Sequence, residues 1–88
     1  MELTFTYDST MYVAEFQASS DFNLHIEKGE GSVVLYQTTV EGSKYDVVKT
    51  IAEYYDKVID IDFVGTVYPK YIKVESSVLP TMAEVTFA

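Results

Sequence analysis

Apolar residues in this chain recur at every second position, in stretch after stretch, and that period leaves few folds open. Phe22, Leu24 and Ile26 stand opposite Asn23, His25 and Glu27, and Ile59, Ile61 and Phe63 alternate with Asp60 and Asp62. Ile72 and Val74 alternate with Tyr71, Lys73 and Glu75, while Ala83, Val85 and Phe87 alternate with Glu84 and Thr86. Such a period belongs to strands with one buried and one wet face. Residues 2–7 and 12–18 repeat it, with Leu3, Phe5 and Tyr7, then Tyr12, Ala14 and Phe16, on the apolar side. Asp8-Ser9-Thr10, Ser19-Ser20-Asp21 and Gly29-Glu30-Gly31-Ser32 separate these runs with turn chemistry. Residues 67–77 and 80–87 read as two strands joined by a short polar turn, a hairpin that closes the sheet built upstream.

Two stretches break the rule. Residues 32–40 form a long strand in which Val33-Val34-Leu35-Tyr36 is apolar on both faces. That marks a central strand, covered by the opposite sheet on one side and by aromatics or a subunit on the other. Residues 44–57 admit two readings. As a helix, Val47, Val48, Ile51, Ala52, Tyr55 and Val58 make a stripe at helical spacing, with Ser43 and Asp46 as a capping box. As β, Tyr45 to Ile51 is a strand and Ala52 to Asp56 a loop. The pattern alone does not choose.

Eighty-eight residues make one domain, residues 1–88. A chain of that size buries roughly 60–65% of its unfolded surface, enough for one thin core. There is no cysteine, so neither a disulfide nor a thiolate metal site can staple it. The core suffices alone, or a partner shares the burial. Six lysines, no arginine and fourteen carboxylates give a net charge of −8. The lysines are scattered, which argues against nucleic acid or an anionic membrane as partner. No run approaches the roughly 18 apolar residues of a membrane span. The first residues lack a basic start and an apolar core, so no signal peptide is expected, and with Met1 as native start the expected location is the cytoplasm.

The run Val33-Val34-Leu35-Tyr36-Gln37-Thr38-Thr39-Val40-Glu41-Gly42-Ser43-Lys44-Tyr45-Asp46-Val47-Val48 resembles an element of galactose-binding-like jelly rolls, the group that includes the discoidin domains. In that group a strand ends in a small polar residue, passes an acidic-Gly turn and resumes with a core aromatic. Their aromatic-basic-aromatic step into an Ile-basic-Val strand is similar to Pro69-Lys70-Tyr71-Ile72-Lys73-Val74, and their terminal strand to Ala83-Glu84-Val85-Thr86-Phe87. The chain departs from the family in length, in lacking tryptophan and in carrying lysine where arginine is usual. The resemblance implies β rather than helix for Tyr45 to Ile51. In its short form it is also similar to small phage and mobile-element structural proteins.

Chemistry is thin. His25 lies on the wet face of its strand with no second base to build a triad. Gly29-Glu30-Gly31 puts an acid where a phosphate would approach. Asp56, Asp60 and Asp62 offer oxygens to calcium, yet Asp60 and Asp62 are also simply the outward positions of a strand. No cofactor is expected. Tyrosine is the remaining signal, eight in the chain, and its large ring with a polar tip suits interfaces. Tyr54 and Tyr55, with Val34 and Tyr36, are the candidate contact residues, and Tyr36, Tyr45 and Tyr71 also read as strand packing.

The expected fold is therefore an all-β, jelly-roll-like sandwich of about seven antiparallel strands, with α+β and one helix at about 43–57 as the alternative. The expected function is non-enzymatic: an interaction or assembly protein that self-associates or docks on a protein partner, as phage or mobile-element structural subunits do. A carbohydrate-binding module of galactose-binding-like type is the rival, since tyrosines stack on sugar rings.

Overall fold

The computed structural model describes residues 1–38, 49–65 and 68–88. Every regular element among them is a strand: β1 (Thr6–Asp8), β2 (Met11–Ala18), β3 (Phe22–Glu27), β4 (Val33–Thr38), β5 (Lys49–Tyr54), β6 (Val58–Phe63), β7 (Lys70–Ser76) and β8 (Met82–Phe87). They form two antiparallel sheets, β1-β2-β7-β4-β5 and β6-β3-β8. The expected all-β class holds. The helix alternative at 43–57 is overturned where it is described, because Lys49–Tyr54 is a strand paired to β4 from Val33↔Tyr54 to Gln37↔Lys49. Residues 43–48, Tyr45 among them, lie outside the described residues. The strand also takes in 52–54, expected as loop, since pairing along the whole of β4 satisfies backbone groups that a loop would leave open.

The alternation explains the layers. Ala14, Phe16 and Ala18 of β2, Val33 and Leu35 of β4, and Ile72 and Val74 of β7 face one way. Phe22, Leu24 and Ile26 of β3, Ile59 of β6, and Ala83 and Val85 of β8 face them, and together with Leu3 they make a single core. The molecule is 19 Å across its shortest axis, the thickness of two sheets about 10 Å apart with their outer side chains. Aromatic rings close one end. Phe22 stacks on Phe63 at 4.5 Å and meets Phe16 edge-on at 5.4 Å.

The pairing is nested. Met1 to Leu3 run beside β8, Leu3 N–H donating to Ala83 O at 2.9 Å and Val85 N–H to Met1 O at 2.7 Å. Then β2 pairs with β7, β3 with β6 and β4 with β5. First goes with last and second with second-last. The doubled ribbon wraps until β3 also meets β8 and β4 also meets β7. Residues 2–7, expected as one strand, are divided between the layers: Glu2 bridges to Glu84 in one sheet, and Thr6–Asp8 pairs with β2 in the other.

The expected closing hairpin is not one. β7 and β8 lie in opposite sheets. Both edges of β7 are already occupied, by β2 and β4, so β8 has no place beside it. The connection arches over the sandwich end and is pinned there. Ser77 N–H donates to Ser32 O at 3.0 Å, Ser32 N–H to Ser77 Oγ at 2.9 Å, and Thr81 N–H to Glu27 O at 2.8 Å. Gly31 fits under the arch at φ +117°, where a Cβ would lie 2.7 Å from Ser77 Oγ and 3.0 Å from Val78 Cγ1.

Two substitutions test this architecture. Leu24→Ala, in the fully buried centre of β3, is expected to destabilise by about 2–5 kcal/mol. Gly31→Ala, strained in backbone and crowded by the arch, is expected to cost more than about 1 kcal/mol. Urea unfolding measures both, and a wild-type midpoint for Gly31→Ala would refute the pinned arch.

Candidate functional site

The outer face of the three-stranded sheet concentrates the polar chemistry. In the central strand β3 the outward residues are Asn23, His25 and Glu27. Register sets Asp62 and Asp60 of β6 beside Asn23 and His25, and Thr86, Glu84 and Met82 of β8 on the other side. Asn23 Nδ2 donates to Asp60 Oδ1 at 2.6 Å and to Asp62 Oδ1 at 3.1 Å. The His25 ring spans two carboxylates, Nδ1 to Asp60 Oδ2 at 2.9 Å and Nε2 to Glu27 Oε2 at 3.0 Å.

This arrangement favours the imidazolium, which donates from both nitrogens. The hydrogen bond to Glu27, then that to Asp60, raises the His25 pKa above its ordinary value. The Asp60 carboxyl is held below its ordinary range, first by Asn23 and then by His25. With both ring nitrogens committed, His25 joins β3 to β6 as a positioning group. It does not present a free base to a substrate.

The sequence-predicted residues do not gather in one place. Val34 and Tyr36 lie half-buried on the outer face of β4, on the five-stranded sheet. Lys73 of β7 sits over the Tyr36 ring at 4.7 Å. Tyr54 ends β5 with its ring packed against the core. Tyr55, the next residue, is 71% exposed. The alternation of a strand end sends two adjacent tyrosines to opposite sides. Asp60 and Asp62 stand on the outer face of β6 and Asp56 in the exposed connection before it. Among the described residues no three metal-ligating side chains come together. Tyr71 is half-buried on the outer face of β7.

Two buried lysines are absent from the candidates that sequence reasoning selects. Lys28 continues the inward phase of β3, and its Nζ donates to Gly31 O at 2.7 Å and Gly29 O at 3.3 Å. Lys70 begins the inward phase of β7, with Nζ over the Tyr68 ring at 4.0 Å. Around it, Asp21 accepts from the Tyr68 hydroxyl and from Gly65 N–H, the latter at 3.2 Å. Tyr68 heads the causes that lower the Asp21 pKa, and the same bond pushes Tyr68 up to about 12. A signal for both lysines does exist: Lys28 falls in phase with Phe22, Leu24 and Ile26 of β3 and Lys70 with Ile72 and Val74 of β7, where an ammonium needs dedicated acceptors.

What these features define is a two-sheet β-sandwich carrying one acidic outer face and a hydrogen-bonded histidine at its centre. Comparison with protein families, curated proteins and solved structures gives no match.

The histidine bridge sets a pH response. An unfolded histidine titrates near about 6.5, and His25 titrates higher in the fold. Its stabilisation is therefore complete below the unfolded value and is lost as pH rises through the folded one. Thermal unfolding from about pH 6 to 8.5 is expected to show Tm falling with pH, and His25→Gln is expected to flatten that slope. Equal slopes in both proteins would refute the bridge.

Proposed function

We propose that this chain is a non-enzymatic interaction or assembly protein, a small jelly roll that offers a sheet edge to a protein partner. The nested pairing of eight strands in two sheets supports the jelly-roll reading, because that architecture is a doubled ribbon rolled into a sandwich. The observation that carries the functional reading is the state of β6. It pairs with β3 on one side, and among the described residues no strand lies on the other. Val58, its first residue, and Val64, just past its last, are 52% and 79% exposed. Open edges with apolar flanks template the addition of another chain. By contrast, β8 is covered on its outer edge from Ala83 to Val85 by Met1 to Leu3. Full engagement of His25 by carboxylates supports the non-enzymatic part. A structural subunit of the kind found in phages and mobile elements is one setting for such a module.

A carbohydrate-binding module is the second reading, favoured by one row of the other sheet. Register lines up Glu15, Lys73 and Tyr36 across β2, β7 and β4, with Gln17 and Tyr71 in the next outward row. Such mixed aromatic and polar faces suit sugar rings.

A photo-crosslinking residue at position 58 or 64, in cells that make the protein, is expected to give a discrete protein adduct. The same residue at position 15, on the opposite sheet, is expected to give none. Labelling from both positions, or from neither, overturns the reading. Chemical-shift changes at Tyr36 and Tyr71 on titrating simple sugars would transfer it to carbohydrate.

A further inference from the structure

The backbone of β6 shows which groups it presents on the side where, among the described residues, no strand lies. Lys28 N–H donates to Lys57 O at 3.0 Å, in line with the register that pairs Glu27 with Val58 and Ile26 with Ile59. In an antiparallel ladder hydrogen-bonded pairs alternate with non-bonded ones. Ile59, Ile61 and Phe63 thus spend their N–H and C=O groups on β3. Those of Val58, Asp60 and Asp62 point to the open edge. The same residues carry their side chains on the outer face, so each lies directly beside whatever residue an added strand sets opposite it. Asp60 keeps its side chain 59% exposed even while bonded to His25.

Charge then selects the added strand. Glu27, Asp60, Asp62 and Glu84 share this face with His25 as its cationic group among the strand residues of the sheet. A second copy of the chain fits poorly. Each antiparallel register that aligns at least three of Val58, Asp60, Asp62 and Val64 with their counterparts sets a carboxylate against a carboxylate, Asp60 on Asp60, Asp60 on Asp62 or Asp62 on Asp62. Like charges directly opposite destabilise a ladder, and each copy brings a charge of −8.

We propose that the outer edge of β6 is a docking site for an extended basic segment of a partner protein, added as a strand with two lysines or arginines, two positions apart, against Asp60 and Asp62. Apolar residues one step further out in each direction meet Val58 and Val64. The partner motif is apolar-x-basic-x-basic-x-apolar, with x turned toward the half-buried edges of Ile61 and Phe63. Backbone bonds give such strand addition its affinity and the alternate side chains give it specificity. This inference rests on the interaction reading and names its partner chemistry.

The test uses the whole chain, isotope-labelled, and a capped peptide of sequence Val-Thr-Lys-Val-Lys-Thr-Val. Titration is expected to shift the amides of residues 58–64 and leave those of the five-stranded sheet in place. Exchanging both peptide lysines for glutamate is expected to abolish binding, and Asp60→Asn with Asp62→Asn to weaken it about fivefold. Methylating the backbone nitrogens of the two peptide lysines, which face β6 in the added strand, is expected to abolish binding with every side chain retained. No shift at 58–64, or undiminished binding of the methylated peptide, overturns the proposal. So does movement of the 58–64 resonances with protein concentration alone, which would make a second copy the occupant. A failed peptide beside persistent crosslinks from position 58 would refute strand addition and leave the interaction reading standing.

Discussion

The burial of one sheet face against the other holds this molecule together, and it has little reserve. The chain has no cysteine, and at this length a core is thin. Leu24, Ile26, Leu35, Ile72, Val74, Val33 and Val85 are fully buried, and they come from four strands in two layers. None of those strands can bury its apolar face alone. The hydrogen-bonded ladders set which residues face inward, and the packing of the layers gives the ladders their stability. Fold and core therefore stand or fall together.

The two inward lysines show how strictly the layers impose that order. An ammonium at the end of an apolar row is costly unless donors meet acceptors. Lys28 finds the carbonyls of the Gly29 to Gly31 turn, and Lys70 finds the Tyr68 ring beside Asp21. Both stand at strand ends, where loops can wrap back to supply partners. At the centre of β3 or β7 no such loop exists.

Alternation makes the strands and their inward residues legible in the sequence, from Phe22, Leu24 and Ile26 to Ala83 and Val85. It does not say which strands are neighbours. A hairpin and an arch between β7 and β8 turn Ile72, Val74, Ala83 and Val85 toward the same core, so the pattern is identical for both. The difference lies in Ser32 and Glu27, distant residues that pin the connection. The divided N-terminal segment is hidden for a similar reason, since Leu3 and Phe5 both serve the one core while Glu2 bridges to one sheet and Thr6 pairs in the other. Tyr54 and Tyr55 look like a pair because they are adjacent in the chain, whereas a strand end separates adjacent side chains. The acidic face is legible residue by residue as outward positions of two strands. That Asp60 shares a histidine with Glu27 depends on the β3–β6 register, which no local pattern encodes.

The same register links stability to recognition. Open edges invite indiscriminate pairing, and charged residues on an edge strand are a common defence against it. Asp60 and Asp62 fill that role against a second copy of this acidic chain. The defence is selective, because a carboxylate that repels one strand attracts a basic one. His25 and Asn23 hold Asp60 and Asp62 in place from within the sheet and still leave the Asp60 carboxylate largely exposed at the edge. A pair of acids two positions apart on an edge strand is therefore the filter that the proposed strand addition uses. On that proposal it disfavours pairing of two copies through β6 while leaving the backbone groups of that strand to a partner of opposite charge.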